Sequence, residues 1–402
     1  MLDAKSKAAK FNAVRKAIKN LEKSTKKENL VQIYGEAEPI RYECIPTGFL
    51  TLDAACTGAG VPRGRIIECF GRESSGKSLI CQKIVASCQN EGGVAAYVDM
   101  ECSFDPDFAA KLGVNVDELI ISQPGHLQEA FAVVDALIDA GVDVIVMDSI
   151  AALVPKEELE AEVGKQTIGL VARYMSQFMK RVTKKIADSK SILLCVNQVR
   201  DKIGVLYGDP TTTPGGAALK FYSSLRLRVS RKEYLKVKTP DGNEEYTGAS
   251  IRVTVVKNKT APPYKTAEFI VYFDGRKADI CDEIAQIALN KGLIPRYNSS
   301  GELVPNGRIY KWPSVPEFIV KKKDDIVPTL RKYPQVVKEL EEIIRSGKIK
   351  EHIINYDIDD EIETDDFDSI IDEPDEPQTE EEMLASEGIS EAEEGPELDW
   401  SV

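Results

Sequence analysis

The segment Gly71-Arg72-Glu73-Ser74-Ser75-Gly76-Lys77-Ser78 matches G-x-x-x-x-G-K-[ST] at every fixed position. Before it runs Ile66-Ile67-Glu68-Cys69-Phe70, a short apolar stretch that reads as a buried strand. After it, residues 79–86 carry apolar side chains at amphipathic-helix spacing. Strand, Gly-rich turn and helix together aim backbone N–H groups and a helix N-terminus at phosphate oxygens. In that frame the two glycines permit close backbone approach. Lys77 places positive charge on the β- and γ-phosphates, and Ser78 offers a hydroxyl to Mg²⁺. A chance Gly/Ser-rich turn would lack the flanking strand and helix, so all eight residues are candidate nucleoside triphosphate ligands.

Charge is distributed unevenly. Of 66 acidic residues, 22 fall in residues 351–402, which hold no Lys or Arg. The other 350 residues hold 44 acids against 52 bases, a net of +8 on the body. A basic body with an acidic appendage is the usual form of a nucleic-acid binder, although a purely solubilising tail has the same composition. The expectation is that the tail competes with DNA for the basic body. No apolar run is long enough to cross a bilayer, and the N-terminus lacks the apolar stretch of a secretion signal, so a cytoplasmic protein is expected. The eight cysteines form no C-x-x-C pair and read as small buried hydrophobes in a reducing compartment. His126 and His352, the two histidines, are too few for a His-based metal site.

Residues 1–35 read as a basic N-terminal oligomerisation helix, with Phe11, Val14, Ile18 and Leu21 forming an apolar stripe among lysines. Residues 36–273 read as one α/β domain. Its strand candidates (66–70, 94–99, 142–148, 191–197) alternate with helical stretches (79–90, 127–140, 169–187), as right-handed βαβ units in a mostly parallel sheet do. Later strands at 225–231, 250–257 and 267–273, broken by a turn at 239–243, suggest an antiparallel extension. Residues 274–350 suggest a small α+β C-terminal domain, and 351–402 a disordered acidic tail.

Phosphoryl transfer on such a sheet needs a metal holder, a water activator and a γ-phosphate sensor. Asp148 ends a strand where a carboxylate can reach Mg²⁺ across from Ser78. Its bland alternative is a strand-terminating turn residue. Glu101 follows the strand at 94–99 on the same sheet edge and suits a general base. Gln198, with Asn197, ends the strand at 191–197, where an uncharged amide can bond phosphate or swing away after hydrolysis.

Several longer segments resemble the bacterial-type RecA recombinase family over residues 9–345. They are the phosphate loop with Phe70, Val146-Met147-Asp148-Ser149-Ile150-Ala151-Ala152-Leu153 and the run from Asn197 to Val205. Pro214-Gly215-Gly216-Ala217-Ala218-Leu219-Lys220-Phe221-Tyr222-Ser223-Ser224 and Val256-Lys257-Asn258-Lys259 complete them. The phosphate loop is common to many ATPases, whereas the later segments together are specific. The resemblance implies a RecA-type ATPase core using ATP and Mg²⁺, with Glu101 as general base, Asp148 as metal carboxylate and Gln198 as the switch between ATP and DNA. It implies that Lys257 and Lys259 reach the γ-phosphate held by a neighbouring subunit, as an in-trans arginine finger does. Lys220 and Phe221 resemble interface residues, and Asp105 and Phe108 the family's adenine contacts. DNA contact would come from a loop at 160–168 (Ile168) leading to Arg173, Ser176 and Lys180, and from a loop at 199–216 (Val199, Arg200, Gly215, Gly216). Both loops are poor in aromatics, so binding should track the backbone and be salt-sensitive. Expected partners are single-stranded DNA, double-stranded DNA, further copies of the chain in a helical filament, and an SOS-type repressor.

The chain departs from the family pattern at a few places. Cys102 replaces a common His, Phe108 lacks the family's hydroxyl, and Lys180 replaces an Arg, losing its fork geometry. Cys281, followed by Asp282-Glu283-Ile284, stands where an aromatic borders the base pocket. None of these removes a reacting group. A ring helicase of the same core would lack the 256–259 and 214–216 segments. Intact Lys77, Glu101 and Asp148 argue against a non-hydrolysing paralogue that binds ATP and DNA as a mediator.

Overall fold

The computed structural model describes residues 4–26, 31, 33, 42–161, 169–201, 211–238, 241, 243–276 and 278–346. The chain divides into two units between Tyr42 and Glu43. In the first, α1 (Ala4–Thr25) leaves Phe11, Val14 and Leu21 of its apolar stripe exposed. The acidic tail, the Thr239-Pro240 part of the expected turn and His352 lie outside the described residues.

The second unit includes α2 (Leu50–Cys56) and is built on a sheet of eight strands: β1 (Arg65–Gly71), β2 (Ala95–Asp99), β3 (Ile120–Ser122), β4 (Val144–Asp148), β5 (Ile192–Gln198), β6 (Leu225–Lys238), β7 (Glu244–Asn258) and β8 (Thr266–Tyr272). They lie in the order β8-β7-β6-β1-β5-β4-β2-β3. All neighbours from β6 to β3 run parallel, whereas β6–β7 and β7–β8 are antiparallel. The α/β class, the mostly parallel sheet and its antiparallel extension therefore match the expectation.

Period-2 alternation sends side chains of each strand to opposite faces, and both faces are covered. Ile67, Cys69, Val144, Val146, Leu194 and Val196 pack against α3 (Lys77–Asn90). Ile66, Ile145, Met147, Leu193 and Cys195 face the helices α5 (Leu127–Asp139) and α6 (Leu170–Ser189), with α4 (Pro106–Lys111) lying earlier in the chain. Phe131 and Phe178 stack between α5 and α6 with ring centroids 4.0 Å apart. The short α7 (Gly216–Tyr222) covers the same face through Leu219. A lobe made of α8 (Ile280–Asn290), a three-stranded sheet (Arg296–Tyr297, Ile309–Trp312, Val315–Val320) and α9 (Pro334–Arg345) has its own core, which includes Leu50 of α2. Thr51 joins the two regions: its backbone N–H and hydroxyl donate to Glu283 at 2.9 and 3.1 Å.

Most cysteines are buried as expected, and Cys102 is exposed. His126 caps α5, its Nδ1 accepting from the Glu129 amide at 3.2 Å. Because Phe178 is fully buried in a stack, Phe178→Ala removes a large side chain from an interior with little room to relax. It should lower unfolding free energy by about 3–5 kcal/mol, read from the denaturant midpoint.

Candidate nucleotide and nucleic-acid site

A parallel sheet places the C-terminal ends of its strands on one edge, and ligands bind there at the point where strand order reverses. The reversal falls beside β1. From β1 the chain works outward to β3, returns through β4 and β5, and then crosses β1 to form β6. Register aligns the ends: Gly71 pairs with Gln198, Val196 with Asp148, and Asp148 with Asp99.

The phosphate loop leaves β1 at Gly71, where a Cβ would collide with the Val229 carbonyl oxygen of β6. Ser74 takes a left-handed φ of 54°, and its carbonyl accepts from Arg231 Nη1 at 2.7 Å. Gly76, at φ 99°, precedes α3, which begins at Lys77. Lys77 Nζ donates back to the Arg72 carbonyl at 2.8 Å. Burial pushes its pKa down, while Asp148 and Glu101 are among the groups that oppose the shift. Ser75 Oγ is buried with no hydrogen-bond partner among the described residues, a polar atom left for a ligand to satisfy.

Asp148 ends β4 and is buried, which raises its pKa; hydrogen bonds from the Tyr97 and Ser78 hydroxyls act the other way. The Ser78 hydroxyl and Asp148 carboxylate are hard oxygen donors, brought together without a cage of protein carboxylates. That donor set fits Mg²⁺, which keeps several waters and takes substrate phosphates as ligands. Among the described residues no group of three or more His, Cys, Asp and Glu could hold a metal alone. Glu101, just beyond β2, accepts at Oε1 from the Ser149 hydroxyl and from Gln198 Nε2, the latter at 3.2 Å. Asp99 holds this segment: its Oδ2 accepts from the Phe104 amide and from Gln123 Nε2, each at 3.1 Å.

Asp105 caps α4, its Oδ1 accepting from the amides of Asp107 and Phe108 at 2.9 and 3.1 Å. Phe108 is half-buried on the same helix. Cys281 lies in the first turn of α8, and burial pushes its thiol up to about 11.

Lys257 and Lys259 gather at the C-terminus of α7. Lys257 Nζ donates to the carbonyls of Lys220 and Phe221 at 2.6 and 2.9 Å, and Lys259 Nζ to that of Phe221 at 3.3 Å. Cations at a helix C-terminus meet unpaired carbonyls and the negative end of the helix dipole. Both ammoniums lie within about 6 Å of the Phe221 ring, which is 61% exposed.

Arg173, Ser176 and Lys180 lie on α6 at spacings of three and four, hence on one face. The start of the second loop is tied to the phosphate loop by Val199 N–H donating to the Gly71 carbonyl at 3.3 Å. Arg200 pairs with Thr212 in a two-residue antiparallel ladder that closes the loop base. Gly215 and Gly216 have φ of 92° and 74° and open α7. Ile168 and residues 202–210 lie outside the described residues.

Sequence reasoning missed Tyr97 and Ser149, which orient the two carboxylates. Both were discoverable: Tyr97 precedes Asp99 by two on β2, and Ser149 directly follows Asp148. It also missed Glu68 and Arg226, a charged pair within apolar strands, with Arg226 Nε donating to Glu68 Oε2 at 2.6 Å.

A family profile described as the RecA N-terminal domain matches residues 12–277. The chain is 42% identical over 347 residues to a protein named Protein RecA from Symbiobacterium thermophilum, covering 86% of this chain and 93% of that one. It is 42% identical over 342 residues to Protein RecA from Thermus thermophilus, covering 83% and 96%.

Burial and the neighbouring Lys259 and Arg226 hold the Lys257 ammonium down to a pKa of about 8. Below pH 8 it is mostly charged and above it mostly neutral, well short of an ordinary lysine at about 10.4. In the subunit without nucleotide, acylation of Lys257 by an amine reagent should therefore rise with a midpoint near pH 8, read by peptide mass spectrometry. An anion brought beside it would favour the ammonium and move that midpoint upward.

Proposed function

The chain belongs to the RecA family, and from that membership and the geometry of the sheet edge we infer how it works. It is an ATP-dependent DNA recombination and repair protein, a DNA-dependent ATPase that uses ATP with Mg²⁺. It binds single- and double-stranded DNA and assembles into homo-filaments. The observation that carries the mechanistic reading is the hydrogen bond from Gln198 Nε2 to Glu101 Oε1, which joins the expected γ-phosphate sensor to the expected base.

We propose the following roles. The backbone of Gly71, Arg72, Glu73, Ser74, Ser75 and Gly76 cradles the phosphates, Lys77 pairs with the β- and γ-phosphates, and Asp105 and Phe108 flank the adenine. Ser78 and Asp148 hold Mg²⁺, which when bound neutralises charge on the transferring phosphoryl group. Glu101 accepts a proton from the attacking water, and Ser149 fixes its carboxylate. Gln198 turns from Glu101 to the γ-phosphate, leaving Oε1 with the Ser149 hydroxyl alone and shifting the segment that begins at Val199. Lys257 and Lys259 exchange the carbonyls of α7 for the γ-phosphate of the neighbouring subunit, while Lys220 and Phe221 pack at that interface. Two cations supplied across the interface stabilise transition-state charge and make bound ATP a link between subunits.

Arg173, Ser176, Lys180, Val199, Arg200, Gly215 and Gly216, with Ile168, line the DNA path. Side-chain cations and close-approaching backbone grip phosphates and leave base edges free to pair. The exposed stripe of α1 suits a second copy of the chain. Family membership supports a cytoplasmic location and activation of an SOS-type repressor by the filament. Among the described residues no helix is long and apolar enough to cross a membrane.

The test is ATP hydrolysis with and without single-stranded DNA, in wild type and Glu101→Gln. Wild type should be stimulated strongly by DNA, and the variant should lose roughly 100-fold or more in rate while still binding ATP, the scale of general-base removal. Hydrolysis indifferent to DNA would contradict the coupling assigned to Gln198.

A further inference from the structure

Glu68 lies in the middle of β1, three residues before the phosphate loop, and is 0% exposed. A carboxylate so placed needs partners on both oxygens. Oε2 accepts from Arg226 Nε of β6 at 2.6 Å, and the Arg226 guanidinium lies 4.6 Å from the centre of the Phe70 ring. Oε1 accepts from Asn197 Nδ2 of β5 at 3.0 Å. All three side chains project toward the sheet face that α7 covers, the face of Ile66 and Cys195.

The Asn197 amide has more to do than pair with Glu68. Its Nδ2 also donates to the Pro214 carbonyl at 2.9 Å, and its Oδ1 accepts from the backbone N–H of Gln198 at 2.9 Å. Two donors and one acceptor are thus committed in three directions, a combination no carboxylate or hydroxyl can reproduce. One direction leads to the residue whose side chain meets Glu101. A second leads to the residue that ends the 199–214 loop and enters α7. The third is the buried ion pair, which gives the amide a fixed seat.

We propose that Asn197, seated on the Glu68–Arg226 pair, is a positioning residue that ties Gln198 to the end of the DNA loop and, through α7, to Lys257 and Lys259. Movement of Gln198 changes the register of its own N–H against Asn197, and Asn197 passes the change to Pro214. From Pro214 the turn at Gly215-Gly216 carries it into α7, whose far carbonyls hold the two lysines. A subunit's own nucleotide state is thereby coupled to the loop that meets DNA and to the cations it lends to its neighbour. The coupling runs through the covered face of the sheet. This inference rests on the reading of Gln198 as the switch.

The experiment compares full-length wild type with Asn197→Asp, Asn197→Ser and the swapped pair Glu68→Gln/Asn197→Asp. Three quantities are read: affinity for a fluorescent ATP analogue, ATPase with and without single-stranded DNA, and melting temperature. Asn197→Asp retains the acceptor for the Gln198 amide and loses both donors. The hydroxyl of Asn197→Ser ends one bond short of the amide nitrogen and does not reach the Pro214 carbonyl, so this variant serves where the aspartate variant does not fold. In the swapped pair the new amide on β1 can donate to the new carboxylate on β5, which rejoins the two strands but leaves the Pro214 carbonyl without its donor. Nucleotide affinity should stay within about 2-fold, and the DNA stimulation ratio should fall about 10-fold or more in each folded variant, as expected for an unsatisfied buried carbonyl. The swapped pair should recover melting temperature and not the ratio. A ratio that stays at the wild-type level in a folded single variant, or returns with stability in the swapped pair, overturns the proposal. Absence of DNA stimulation in wild type itself would count against the Gln198 reading instead.

Discussion

The site depends on the parallel register of β1, β5, β4 and β2. Gly71 is brought level with Gln198, and Asp148 with Asp99 and with Val196 two residues before Gln198, by main-chain ladders rather than by contacts among themselves. In a strand the side-chain period is two, so a slip of one residue would turn Asp148 away from Ser78 or Gln198 away from Glu101. What prevents the slip is the burial of both faces: Ile67 and Ile66, Val146 and Ile145, Leu194 and Leu193 belong to opposite cores. Shifting any strand would exchange two sets of fully buried side chains. The chemistry at the edge is therefore fixed by apolar packing some distance away from it.

Charge is concentrated where that packing has excluded water. Lys77, Asp148, Asp99 and Glu68 are all buried within or just beyond the central strands. Each would be costly unpaired, and each has a local partner: the Arg72 carbonyl, Tyr97, Gln123 and Arg226 respectively. The satisfaction is incomplete at the site itself. Among the described residues Ser75 Oγ and Asp99 Oδ1 remain without partners, and Lys77 donates to a neutral carbonyl. Such groups are stabilised further by an anionic ligand with its metal, so nucleotide binding and local stability are linked. Lys257 and Lys259 are likewise held by neutral acceptors, the helix carbonyls of Lys220 and Phe221.

How much of this could be read from the sequence varied with the physics behind each element. The phosphate loop was legible because its glycines, Lys77 and Ser78 sit at fixed spacing between an apolar strand and a helix. The central strands were legible because double burial leaves continuous apolar runs. The edge strand β3 was not, since three residues carry too little pattern. Nor was α7, whose opening Gly215-Gly216 reads as a loop. β6 and β7 run to Lys238 and back from Glu244, longer than expected, because their distal halves are mostly exposed and rich in charged residues. The placement of Asp148, Glu101 and Gln198 at the sheet edge followed from strand ends. Glu68, Asn197 and Arg226 did not, because a polar residue inside an apolar strand gives no hint of its partner until three strands are laid side by side.

The central claim is that each ATP site is completed by lysines from the next subunit. The most direct measurement mixes two inactive variants, Glu101→Gln and Lys257→Ala/Lys259→Ala, on single-stranded DNA. A head-to-tail junction pairing the intact Glu101 of one variant with the intact lysines of the other rebuilds a whole site. Random equimolar assembly should then restore about a quarter of wild-type hydrolysis, because the interface is heterologous and one junction in four has that composition. A mixture no more active than its components would show that the lysines serve only their own subunit, and would contradict the account.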